Sequence, residues 1–297
     1  MQDKEERERV AISPHATVTV TKAGNVVEVQ HMAKMNNTAT IKKIDNDTYI
    51  DLSTGEIKEF NKAEKKSESY VSLTKTFKRL RYLINNNFQG NSNELHITLT
   101  YAENMTDNKK LYTDFDKFMK KIKYKYRQQS TVDYISVIEP QERGAWHVHC
   151  LIRFNDLDSI FIPSNDIAKT WGHGFVTVRA LKHVDNIGAY LSAYLADIEL
   201  TEKTVSLAFR NQLEVTEKHT EGKDKKFIKG GRLHYYPSNM QLYRSSKGIK
   251  MPDRERMKYK DAKKVVGSRE PNYSRRYEVQ TDDFENTIQF EQYNLKR

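Results

Sequence analysis

Two histidines stand two positions apart inside the apolar run GAWHVHCLIRF, residues 144–154. Alternate side chains of a strand share a face, so His147 and His149 project together while Trp146, Val148, Cys150 and Ile152 project the other way. Side by side, two imidazoles can chelate one divalent ion. The preceding run DYISVIE, residues 133–139, is joined to this one by the short connection PQERG and reads as its hairpin partner. That pairing would bring Glu139 close to the histidines, with Glu142 in the connection as the substitute carboxylate. A His-His-Glu set leaves coordination positions open for a substrate. Imidazoles favour transition metals and cellular supply favours magnesium, so the expected cofactor is Mn2+ or Mg2+.

A metal beside phosphate needs an attacking group. In VDNIGAYLSAYLADIEL, residues 184–200, Tyr190 and Tyr194 lie four apart, one turn from each other and flanking the Leu191/Leu195 stripe. With a pKa of about 10, tyrosine is a poor nucleophile at neutral pH; a metal that polarises the phosphate compensates by making phosphorus more electrophilic. Each feature alone has a bland counterpart: an H-x-H pair arises by chance, and tyrosines often sit at helix–sheet boundaries with wet hydroxyls.

The elements that must position these groups follow from periodicity. Tyr70, Leu73, Phe77, Leu80 and Ile84 recur at helical spacing, as do Leu111, Phe115, Phe118, Met119, Ile122 and Tyr126 over about 111–127. LHITLTY (95–101) alternates, with Leu95, Ile97 and Leu99 on one face and His96, Thr98 and Thr100 on the other. GFVTVRAL (174–181) reads as another strand and 184–200 as a helix. The first 60 residues hold short β-like runs, ATVTV, NVVEV and TYIDL, separated by turn signals. Strands and helices mix without regular βαβ alternation, so the expected class is α+β with a mainly antiparallel sheet flanked by helices. Four segments are expected: a β-rich lead-in (1–65), a central catalytic domain (66–205), a basic DNA-binding extension (206–276) and an acidic, flexible tail (277–297).

Charge is unevenly placed. Of the 297 residues, 50 are Lys or Arg and 40 Asp or Glu, a formal net charge of +10. Residues 218–276 alone carry 18 basic against 6 acidic side chains, together with Tyr235, Tyr236, Tyr243, Tyr259 and Tyr273. Such a segment suits a polyanion, with rings available for base stacking. One cysteine, Cys150, excludes an internal disulfide and a multi-cysteine zinc site. No apolar run is long enough to span a membrane and the first residues, MQDKEERERV, are unlike a secretory signal, so a cytoplasmic location is expected. No GxxxxGK[ST] motif occurs, which excludes a P-loop ATPase.

Taken in order, LHITLTY, EPQERGAWHVHCLI, WGHGFVTV and GAYLSAYLAD resemble the motifs of rolling-circle replication initiators of the HUH endonuclease superfamily, most closely those of Gram-positive plasmids, phages and integrative elements. The resemblance covers about 66–200, and YPSNMQLYRSSKGIKMP looks like the segment that follows such a core. It implies an HUH endonuclease fold, His147, His149 and Glu139 as metal ligands, and Thr98 and Thr100 beside the site. It also implies that Tyr190 and Tyr194 are the nucleophiles. In that chemistry a tyrosine nicks one origin strand, keeps the 5′-phosphate and releases a 3′-OH primer, with later rejoining. Origin DNA, single-stranded at the nick, is the implied partner, with a host helicase and DNA polymerase. Relatives often carry a lysine in or just after the tyrosine motif, where this chain has Ala193 and Asp197; Lys182 or Arg179 could substitute. Lys247 and Lys250 are further expected DNA contacts. Rival readings are a conjugative relaxase, whose tyrosine usually precedes the histidines, and a non-catalytic origin-binding protein. A 2H phosphoesterase would need a second H-x-[ST] beside His96-Ile97-Thr98, and a histidine-triad hydrolase a histidine where Leu151 stands.

Overall fold

The computed structural model describes residues 12–34, 40–45, 47–60, 70–141, 144–182, 184, 186–201, 204–210, 213–220, 223–237, 240–281 and 284–296. The chain forms two compact units, one of Met1–Lys22, Val26–Glu64 and Asp253–Arg297, the other of Ala23–Asn25 and Lys65–Pro252. Both ends of the chain thus enter the first unit.

The first unit begins with β1 (Thr17–Ala23) and β2 (Val26–Met32), turned about Gly24 at φ +57°. A separate antiparallel sheet follows from β3 (Ile41–Lys43), β4 (Thr48–Asp51) and β5 (Ile57–Glu59).

In the second unit come α1 (Tyr70–Asn87), β6 (Glu94–Leu99), α2 (Asn108–Tyr126), β7 (Val132–Pro140), β8 (Trp146–Phe154), α3 (Ser164–Trp171), β9 (Val176–Ala180) and α4 (Ile187–Ala196). After these stand β10 (Ile198–Glu199), α5 (Val205–Arg210), β11 (Val215–Thr220), β12 (Lys223–Ile228), a 3-10 turn (Gly231–Tyr235) and β13 (Tyr243–Ser245). Helix α2 starts a turn earlier than its apolar stripe predicts, because the Asp107 side chain accepts from the amides of Lys109 and Lys110 and caps it. Helix α4 is shorter than expected. Asn186 accepts from the amide of Ala189 at its start (3.0 Å), and Ile198 leaves the helix to pair with Ile228 of β12.

A five-stranded antiparallel sheet in the order β13-β7-β8-β6-β9 is the frame of this unit. On one face Leu95, Ile97, Leu99, Val148, Cys150 and Ile152 pack against α2 and against Ile167 and Trp171 of α3. On the other, Ile135, Val137 and Leu151 pack against Leu80, Leu83 and Ile84 of α1 and Ile187, Leu191 and Leu195 of α4. The α+β class with helices flanking an antiparallel sheet is what the structure shows. A strand covered on both faces still alternates here, because one of its faces carries polar groups among the apolar ones.

The chain then returns to the first unit with β14 (Asp253–Lys258), α6 (Tyr259–Val266), β15 (Tyr273–Thr281) and β16 (Phe284–Asn294), giving an antiparallel sheet in the order β14-β1-β2-β16-β15. Residues expected as a flexible acidic tail therefore form the end of β15 and all of β16. Their acidic residues suggest a solvated segment, yet Tyr293 is fully buried against α6 and β16 pairs with β2 along seven residues. Among the described residues no helix is long and apolar enough to cross a membrane.

Candidate active site

Strand register fixes the polar cluster. Glu139 of β7 lies opposite His147 of β8 and Val137 opposite His149; on the far side of β8, Thr98 of β6 lies opposite His149. Cross-strand partners share a face, so His96, Thr98, His147, His149 and Glu139 all project toward the side covered by α1 and α4. The hairpin closes through Gly144 at φ +83°, a left-handed conformation that glycine adopts without strain. Glu142, the substitute carboxylate, lies outside the described residues.

Within the cluster, Nε2 of His149 contacts Oε2 of Glu139. The other carboxylate oxygen, Oε1, lies 2.7 Å from Nη1 of Arg232 in the 3-10 turn. Arg232 is itself held by the carbonyls of Pro140 (2.8 Å from Nη1) and Asp197 (3.1 Å from Nε). Burial opposes ionisation of Glu139, but the His149 hydrogen bond and the charges of His149 and Arg232 outweigh it and hold the carboxyl below its usual range. On the other ring nitrogen, Nδ1 of His149 is 3.2 Å from Nε2 of His96 and 3.3 Å from Oγ1 of Thr98. Burial first, then the charges of His149 and Arg179, push His96 down to about 3, so its ring is neutral near pH 7. His147, half-buried, places Nδ1 3.3 Å from the Gln141 amide nitrogen.

Helix α4 lies over this face because Ile187, Leu191 and Leu195 enter the same apolar cluster as Val137 and Leu151. Its half-buried Tyr190 meets His96 edge to face, ring centroids 6.3 Å apart. Tyr194 follows one turn later on the same helix; its side chain lies outside the described residues. The close approach of α4 to α1 depends on Gly188, whose amide donates to Asn85 Oδ1 at 2.8 Å.

Of the expected cations, Arg179 of β9 lies opposite His96 and so on the same face, whereas Lys182 is an exposed residue beyond the end of β9. Lys247 and Lys250 are exposed after β13, and the backbone of Lys250 is tied to Asn87 (3.1 and 2.7 Å). Sequence reasoning does not single out Arg232 or Gln141. Gln141 sits two residues from Glu139 and is legible by proximity; Arg232 reaches Glu139 from 93 positions away with no local signal. Of the five tyrosines in the basic segment, Tyr236 is buried and donates to the Ile138 carbonyl (2.7 Å), and Tyr259 is engaged with Glu291. Neither ring is available for stacking on bases.

Two imidazoles and a carboxylate on one face form a donor set that suits a divalent ion. In this arrangement the His149–Glu139 contact fills the space between two of the donors, and among the described residues no three His, Cys, Asp or Glu side chains already surround a common point. An ion would replace that contact.

Residues 94–199 match a family of replication-associated proteins, the one described as Replication-associated protein ORF2. The matched stretch runs from β6 to β10 and includes both histidines, Glu139 and the tyrosine helix. This part of the chain is similar to replication-associated proteins, which supports a replication initiator that acts on DNA. No curated protein and no solved structure matches the chain.

Proposed function

We propose that the protein starts rolling-circle replication by nicking one origin strand through a 5′-phosphotyrosine. The observation that carries this reading is the placement of α4, with Tyr190 against His96, over the sheet face where His147, His149 and Glu139 converge. All of it falls inside the stretch similar to replication-associated proteins.

His147, His149 and Glu139 would hold a divalent ion, Mn2+ or Mg2+, which when bound polarises the scissile phosphate. The remaining work belongs to side chains of the chain. Arg232 pairs with Glu139 and holds its carboxylate in place, Gln141 orients His147, and His96 with Thr98 fixes the His149 ring so that Nε2 is the nitrogen turned to Glu139. A tyrosine hydroxyl of α4 then attacks phosphorus, its P–O bond forming as the bond to the 3′ oxygen breaks. The tyrosine gives up one proton and the departing 3′ oxygen takes one, leaving a 3′-OH primer. Because one phosphodiester replaces another, the bond is stored and can be rejoined without ATP.

Supercoiled plasmid carrying the DNA that flanks the gene, incubated with the protein and Mn2+, should give open circles with protein on the 5′ end. Retarded but still supercoiled plasmid, with no open circles under any divalent ion, would leave an origin-binding protein without catalysis.

A further inference from the structure

The sheet of the first unit has two unlike faces. One packs against α6, with Val18, Val20, Val27, Val29 and Tyr293 meeting Ala262 and Val266; among the described residues this is the unit's one buried apolar cluster. Register places cationic and aromatic side chains at the two edges of the other face; between them Thr19, Gln30, Met32, Ile288 and Phe290 are half-buried, and near the β1–β2 turn Thr21, Val26 and Glu28 are buried. Met257 of β14 packs on the α6 side, so its alternates Arg254, Arg256 and Lys258 point the opposite way, each opposite a threonine of β1. The contact of Lys258 Nζ with Thr17 Oγ1, at 3.4 Å, fits that direction. Arg254 and Arg256 are exposed and, among the described residues, have no ion pair.

Across the same face, at the β15 edge, stand Tyr273, Arg275 and Tyr277, paired with Gln292, Phe290 and Ile288 of β16. Tyr273 and Tyr277 are 38% and 39% exposed, and the Arg275 guanidinium lies 5.4 Å from the Tyr277 ring centre. Glu28, the one carboxylate this face carries among the described residues, is buried and receives a hydrogen bond from Gln292 (3.1 Å). One edge thus offers a row of cations about 7 Å apart, the other rings with a cation between them, across a sheet about 19 Å wide.

We infer that the exposed edges of this face bind single-stranded DNA, its backbone along Arg254, Arg256 and Lys258 and its bases on Tyr273 and Tyr277. Cations that track phosphates beside aromatic rings that take bases are the chemistry of sequence-tolerant single-strand binding. Phosphate alone would be served by cations anywhere; exposed rings on the same face favour unpaired bases over a duplex. The choice of DNA rests on the replication reading, whereas the face itself does not.

Because residues 253–258 pair with β1, removing the basic segment would take β14 and α6 out of the sheet, so point substitutions in the full chain are the test. Binding of a fluorescein-labelled oligo(dT) is followed by anisotropy in EDTA, where nicking plays no part. Arg254→Ala/Arg256→Ala should weaken binding and lower the slope of log K against log[salt] by roughly 1.4, about 0.7 per lost phosphate contact. Tyr273→Ala/Tyr277→Ala should weaken it roughly fivefold or more with the slope unchanged. Arg254→Lys/Arg256→Lys should restore the slope, which separates lost charge from a damaged fold. Wild-type affinity and slope in both alanine pairs would overturn the assignment, as would tighter binding to blunt duplex with the tyrosine pair without effect. A wild-type protein that never nicks but shows these losses sinks the proposed chemistry and leaves this face standing.

Discussion

The two five-stranded antiparallel sheets differ in how fully they bury their faces. In β13-β7-β8-β6-β9, helices cover both sides, and the histidine cluster sits under α1 and α4, where His96, His149 and Glu139 are nearly out of contact with water. In β14-β1-β2-β16-β15, α6 covers one side and the other carries exposed Arg254, Arg256, Tyr273 and Tyr277. Enclosure sets the ionisation of these groups: burial first, and neighbouring charge second, keep His96 neutral, while Glu139 stays ionised against the cost of burial because the His149 hydrogen bond and the charges of His149 and Arg232 outweigh it. The exposed edges of the second sheet offer many weak, screened contacts instead. Losing one group should therefore be severe in the first sheet and graded in the second.

The largest expected effect is on the enclosed face. His147→Ala or His149→Ala should cut nicking by more than about 100-fold, beyond what loss of an outer partner costs, with binding to oligo(dT) kept; Mn2+-dependent cleavage in either variant would end the ligand assignment. The tyrosines sharpen the point. On a single-stranded origin oligonucleotide, Tyr194→Phe should lose most of the covalent adduct, while Tyr190→Phe should form it yet fail to terminate and recircularise. Mass spectrometry of the trimmed adduct names the linked residue, and an adduct found only on Tyr190 reverses that order.

Next comes Arg232→Ala, which leaves the Glu139 carboxylate with one fewer partner in a largely buried place. Stability in urea should fall by about 2–3 kcal/mol and nicking by roughly 10-fold or more; Arg232→Lys should recover part of the stability but not the contact that two guanidinium nitrogens make with three acceptors. Smaller is Gly188→Ala. A β-carbon there would lie 2.9 Å from the Arg81 carbonyl oxygen and from Asn85 Oδ1, so α4 must shift from α1, at a cost of about 1–3 kcal/mol. Nicking should drop roughly 10-fold as the tyrosines move, with oligo(dT) binding unchanged. Smallest is Arg276→Ala in the exposed part of β15, whose side chain meets Glu278 at 3.3 Å. Being exposed, that pair should matter by less than about 0.5 kcal/mol in thermal unfolding, and a larger loss would show the open sheet to be as tightly coupled as the enclosed one.

Much of the enclosed sheet is legible in sequence. Alternation in LHITLTY and AWHVHCLIRF assigns the correct faces, and the stripe from Leu111 to Tyr126 marks the buried side of α2. The pairing of Glu139 with the histidines is legible too, because a short hairpin leaves few registers open. Helix α3 is not, since eight residues between Pro163 and Gly172 carry too few apolar positions to show a period. The strand character of 284–294 is masked by its acidic residues, and the five tyrosines of the basic segment read alike although Tyr236 is buried and Tyr273 exposed.

Sequence by itself determined which side chains share a strand face and which lie one helical turn apart, because those relations depend on local backbone geometry with periods of 2 and 3.6 residues. Only the tertiary structure decided what meets those faces. Arg232 reaches Glu139, Tyr190 reaches His96, and β1 pairs with β14 over more than 230 positions of chain. Such contacts are set by which apolar surfaces are buried together, and residues that meet by that route carry no mark of one another in the sequence.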